Sequence, residues 1–275
     1  MPDADIPSRS ETIEAGGDPI GDQLHARAQV RSAKVTLRFS LRALLLATTA
    51  FALVLYVGLR FRENKFEEEV KRGYKECYLA ISNFNGARGR LPSPTYNGPA
   101  GKPLSSWRFR ILPYWGINNL GNRYNAAWDA KINSDIAAWK PDFFCMSDAQ
   151  NLETNVFAIC GPGAAIELSA YNGVSINKLE ELSPDVILAM EVADSKTHWM
   201  QPGDYDVTKL LAATGRLGDT VKGILPDRIH VLFADGEVWA LSPDTPIDAL
   251  KPFFTITAAK AASREESLSK YRVDD

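Results

Sequence analysis

The sequence predicts an α+β protein: one long N-terminal helix, transmembrane and then amphipathic, packed on an antiparallel sheet with long loops. Three observations predict it. From Ala43 to Leu59 no residue is charged, and at 1.5 Å per residue this run covers about 26 Å, close to the hydrocarbon thickness of a bilayer. Phe66, Val70, Tyr74, Cys77, Tyr78, Ile81 and Phe84 then form one apolar stripe at helical spacing. Beyond them, short apolar runs rich in strand formers are separated by turn residues.

In chain order, residues 1–38 read as a disordered basic tail, polar and carrying Gly16-Gly17. Residues 39–60 read as a transmembrane helix, with Arg42 able to snorkel to the headgroups. A long stretch precedes the run, and basic rather than small residues follow Leu59. Both favour an uncleaved anchor over a signal peptide. Lysines and arginines are as numerous on one side as on the other. The acids, none of which falls between Asp22 and Glu63, favour the N-terminus inside.

Residues 61–257 read as the folded domain. The helix carries Glu67–Glu69, Lys71, Arg72 and Lys75 on its other faces, ends at Gly86 and Gly89, and cannot continue through Pro92. The Pro/Gly-rich stretch from Leu91 to Trp107 reads as a loop. Trp107–Trp115 is too short to assign, and a short helix is expected near Ser134–Trp139. Strands are expected at Asn155–Cys160, Val186–Val192, Ile229–Ala234 and Glu237–Leu241. Asp235-Gly236 between the last two signals a type I′ hairpin. Ile247–Phe253 reads as a short helix with Asp244 or Thr245 as N-cap and Pro246 in its first turn. Residues 258–275 read as a polar, solvated tail or frayed helix.

With 45% hydrophobic and 24% charged residues and a net charge of −3 over 275 residues, the chain is ordinary in composition, and no nucleic-acid partner is expected. Three cysteines, Cys77, Cys145 and Cys160, allow one Cys145–Cys160 disulfide or three buried thiols. No CxxC occurs and the histidines number only three, which argues against structural zinc. The best polar constellation is Glu191, Asp194, His198 and Asp204. Close together, these would suit a divalent cation, or a Glu191–His198 base and orienter. The alternative is that Glu191 and Asp194 satisfy loop amides while Trp199 anchors the loop. Gly161-Pro162-Gly163 lacks the Lys-Ser/Thr and helix start of a phosphate loop. Asp235 reads as a turn residue, and Ser147 and Ser195 lack a nucleophile elbow.

Several short motifs follow one another in a telling order. They are Leu91-Pro92, Gly101-Lys102-Pro103-Leu104, Ser106-Trp107-Arg108, Leu112-Pro113-Tyr114, Trp128-Asp129, Phe144-Cys145, Ser147-Asp148 and Thr154-Asn155. Gly161-Pro162-Gly163, Glu191-Val192-Ala193-Asp194-Ser195, His198-Trp199 and Phe233-Ala234-Asp235-Gly236 complete the series. In this order they resemble one bacterial family, the pilin-like, prepilin-type domain of unknown function 1559, and the resemblance implies a helix tethered in the cytoplasmic membrane, an extracytoplasmic α+β domain related to pseudopilins, and no established activity. Two departures stand out. Leu37-Arg38-Phe39-Ser40-Leu41-Arg42 has no Gly, and Arg42 stands where the prepilin glutamate would sit, which counts against prepilin processing. Leu225 replaces a histidine often found ten residues before the hairpin aspartate, and His230 is not its equivalent.

The function expected is therefore non-enzymatic: a single-pass envelope protein, held in the bilayer through 39–60, acting by self-association or contact with other envelope proteins. No cofactor is expected. The runner-up is a glycan- or peptide-binding module presenting the aromatic loops of Trp107–Trp139, and a metal-dependent hydrolase stands third.

Overall fold

A computed structural model describes residues 40–99, 101–146, 151–167 and 177–273. The tail read over residues 1–38, along with Ser147 and Asp148, lies outside them. The chain divides into two compact units, Met1–Val54 and Leu55–Asp275.

Helix α1 (Leu41–Arg88) starts where Ser40 caps it, its Oγ accepting the Ala43 amide at 3.2 Å. In the first unit, the described residues of α1 are exposed on every side, Leu46 at 73%. A helix that is apolar all round and solvent-facing has no place in water. Among the described residues, α1 is the one helix long and apolar enough to cross a membrane. One long apolar helix of this kind fits a single-pass membrane protein.

In the second unit the character of α1 changes. Val70, Tyr74, Cys77, Ile81 and Phe84 are buried, as their spacing predicts. Glu67 is buried with them, contrary to its expected place on the outer faces. Gly86 stays inside the helix. Gly89 ends it at φ +65°, giving its amide to the Asn85 carbonyl at 2.7 Å.

The stretch expected to be an irregular loop is a small hairpin. Strand β1 (Thr95–Asn97) pairs antiparallel with β2 (Pro103–Ser106), because Gly98 and Gly101 close a hydrogen-bonded turn between them. Trp107–Trp115 is helix α2, with Pro113 inside it and Gly116 capping it at φ +113°. Ser134–Ala137 is the short helix α3.

The main sheet holds β3 (Val156–Cys160), β4 (Ile187–Glu191), β5 (Tyr205–Asp206), β6 (Ile229–Phe233) and β7 (Val238–Leu241), in the order β5-β3-β4-β6-β7. It is mixed rather than antiparallel, since β5 runs parallel to β3. Every residue of β4 and β6 is buried, so both faces of the sheet centre are covered. The hairpin between β6 and β7 differs from the type I′ expectation. Phe233 accepts the Gly236 amide at 3.0 Å and gives its own to Glu237 at 2.9 Å, closing a three-residue loop. Among the described residues, Asn119 and Lys196 are the non-glycines at positive φ, so Asp235 is not, and Gly236 at +86° supplies the one left-handed position. This is a type I turn followed by a glycine bulge. A Cβ on Gly236 would also stand 2.6 Å from the Tyr78 ring of α1.

Helices α4 (Val207–Ala212), α5 (Leu217–Thr220) and α6 (Ile247–Leu250) follow their strands, and α6 runs into a 3-10 turn, Lys251–Phe254. The expected solvated tail is folded: α7 (Ile256–Ala259) and α8 (Arg264–Leu268) carry buried Arg264 and Leu268. Arg264 bonds Asp235 at 3.0 Å and Glu237 at 3.2 Å and lies 4.6 Å over the Phe233 ring. Residues 271–273 then cover the outer edge of β7, Val273 giving its amide to Ala240 at 2.9 Å and Ser242 its own to Tyr271 at 2.9 Å.

Candidate functional site

The four residues expected to assemble a site do four separate jobs. Asp194 is exposed and pairs with Lys196 at 2.5 Å. His198 accepts the Met200 amide on Nδ1 at 3.1 Å, which makes its Nε2 the donor to Ala137 at 3.0 Å, and it stacks on Trp128 at 4.7 Å. Burial pushes its pKa below the ordinary histidine value. Asp204 belongs to a buried hub around Arg108 of α2. The Arg108 guanidinium donates to Asp204 Oδ1 at 2.9 Å and to the carbonyls of Val156, Trp199, Gln201 and Gly203 at 2.9–3.1 Å. Asp204 also accepts from Trp107 Nε1 and the Ala158 amide, each at 2.9 Å. Burial outweighs the attraction of Arg108 and pushes the Asp204 carboxyl up. Among the described residues no group of three or more His, Cys, Asp or Glu is placed to hold a metal ion.

Glu191, at the end of β4, has a partner that the sequence reading missed. One carboxylate oxygen accepts the His230 amide at 2.8 Å and faces His230 Nδ1 at 2.7 Å, and the other accepts the Ile224 amide. As the alternative reading held, Glu191 does satisfy backbone amides. His230 Nε2 lies 3.9 Å from Glu67 of α1, and Glu67 bonds both Arg228 and, at 2.9 Å, Lys71. Arg228 in turn holds Asp227 at 2.9 Å. Three carboxylates, Glu67, Glu191 and Asp227, therefore meet Arg228, Lys71 and an imidazole. Burial works against the imidazolium, but the Glu191 hydrogen bond and the nearby Glu67 outweigh it and raise the His230 pKa. A histidine oriented by a glutamate, with Nε2 lacking a hydrogen bond, has the chemistry of a general base. Here the pair is fully buried and lines neither of the two cavities described below. The signal that could have found it is the histidine in a strand facing another strand's terminal glutamate.

The larger cavity is a groove of about 760 Å³ between α1 and the segment after α3. Phe66, Val70 and Gly73 line one side, and Trp115, Trp139 and Phe143 the other. Gly73 lets the chain approach closely: a Cβ there would meet Met146 at 2.8 Å. The tryptophans divide accordingly. Trp107, Trp199 and Trp239 are buried core, whereas Trp115 is 37% exposed and Trp128 and Trp139 are half-buried.

Cys77, Cys145 and Cys160 are free, buried thiols, and no Cys145–Cys160 bridge forms. Burial raises all three, Cys145 to about 12, which keeps them from acting as nucleophiles. Gly161-Pro162-Gly163 is a turn, with Gly161 at φ +123° and Gly163 at +79°, whose Gly163 carbonyl accepts the Ile256 amide at 2.8 Å. It borders a second cavity of about 510 Å³ beside Asp204 and Asp206. No protein-family model, no curated protein and no solved structure matches the chain.

Proposed function

We propose that this is a membrane-anchored protein whose folded unit works through contacts with other proteins, pilin-like in plan, rather than through catalysis. The observation that carries the proposal is the exposed apolar stretch of α1, which fits a bilayer-spanning anchor. The scattering of Glu191, Asp194, His198 and Asp204 into separate structural contacts supports a non-enzymatic role. The anchor would sit in the cytoplasmic membrane with the folded unit outside the cytoplasm. Carbonate extraction of membranes followed by protease treatment of intact spheroplasts tests this. The proposal expects a pellet-bound protein whose folded unit is cut from outside. Release by carbonate, or protection until lysis, would overturn the anchor or its orientation respectively.

A second reading, a binding module, is favoured by the Trp115–Trp139 groove. It predicts a saturable ligand that quenches tryptophan fluorescence.

A further inference from the structure

We propose that the groove beside Gly73 binds a saccharide chain, an inference that rests on the binding-module reading. Its volume of about 760 Å³ lies within the range of small-molecule sites. Its wall is aromatic: Trp115 and Trp139 stand 6.1 Å apart between ring centroids with planes 33° apart, and Phe143 lies 4.6 Å from Trp115. A pyranose ring offers a flat C–H face to such indoles, while its hydroxyl edge needs hydrogen-bond partners. The rim supplies them. Glu69, Arg72 and Glu76 lie along α1, and Lys140 and Asp142 lie opposite. Carboxylates accept from hydroxyls, and guanidinium and ammonium groups donate to them. Three acids against two bases leave little net charge, so a neutral ligand suits the groove better than an anion or a polycation.

A peptide fits less well. None of the residues lining the groove belongs to a strand, so there is no edge for an extended peptide to join. The five charged side chains also oppose an amphipathic helix, which would seek an apolar trough.

The test uses the full chain in a non-glycosidic detergent, because sugar headgroups would compete. Tryptophan fluorescence is titrated with cellotetraose, maltotetraose and chitotetraose, and in parallel with a random decapeptide pool. The expected result is saturable quenching by at least one tetrasaccharide, with a Kd of about 1 mM or tighter. Trp115→Ala should weaken it about tenfold, and Trp115→Phe should recover most of the loss. Trp115→Phe should melt like the parent, whereas Trp115→Ala gives up its contacts with Phe143 and Trp139 and should melt lower while staying folded at the titration temperature. No saturation by about 10 mM of any of the three sugars, or full binding by Trp115→Ala, overturns the proposal. Peptide binding in place of sugar overturns it while leaving the binding-module reading standing; failure of both sinks that reading as well.

Discussion

Two buried charge clusters hold the folded unit, and they are built on different chemistry. The Arg108 hub sets one guanidinium against one carboxylate and four carbonyls. Burial pushes the Asp204 carboxyl up, against the attraction of Arg108. The cluster at His230 instead joins α1 to the sheet through Glu67, Arg228, His230 and Glu191, and it contains a histidine whose pKa is raised. The hub is a fixed fastening between α2, β3 and the loop before β5. The other is a fastening that pH can undo.

Breaking the hub should have the largest effect. Arg108→Ala strands Asp204 and four carbonyls in the core and should cost about 3–5 kcal/mol, read as the loss of the folded baseline in urea unfolding of the detergent-solubilised chain. A loss under 1 kcal/mol, roughly a factor of five in the folding equilibrium, would show that the hub is dispensable. Glu67→Ala should cost less, about 2 kcal/mol, because Arg228 keeps Asp227. An effect matching that of Arg108→Ala would erase the distinction drawn between the clusters.

The histidines sharpen it further. Relative to an ordinary value of 6.5, His230 is raised and His198 lowered. The His230 contribution is complete below that unfolded value and is lost as pH rises through the folded one; His198 contributes above it and loses as pH falls. Imidazole signals followed by NMR from pH 5 to 8.5 should place His230 above His198, and the reverse order would show that Glu191 and Glu67 do not hold the His230 proton. In melting curves, His230→Asn should remove the decline on the alkaline side. The smallest effect is the surface control: Asp194→Asn breaks the exposed Asp194–Lys196 pair and should leave the melting temperature within experimental scatter.

The contrast also explains what the sequence could and could not convey. The stripe from Val70 to Phe84 is legible because one helix face is buried and burial repeats at 3.6 residues. Strands β3, β4, β6 and β7 are legible because they are short, mostly apolar runs, interrupted by His230 in β6 and ended by Glu191 in β4. Arg108 and Asp204 stand 96 residues apart, Glu67 and Arg228 161, so no local period announces either pair. Arg264 looked like part of a polar tail because its partners, Asp185, Asp235 and Glu237, are remote in sequence. The β1–β2 hairpin was hidden by glycines and prolines that usually mark loops and here build the turn itself. The Asp-Gly pair announced a hairpin correctly, but a two-residue loop would have left no room for Ala234.

The cover on β7 has a consequence for biosynthesis. Leu241 bridges to Arg272, 31 residues later in the chain. At 5–20 residues per second a ribosome needs about 2–6 s to make that interval. During it β7 emerges with its backbone donors and acceptors bare, a template for pairing with a neighbouring nascent chain. The strap at 271–273 is thus the step that ends exposure to aggregation, and a chain halted before it would need a chaperone rather than more time.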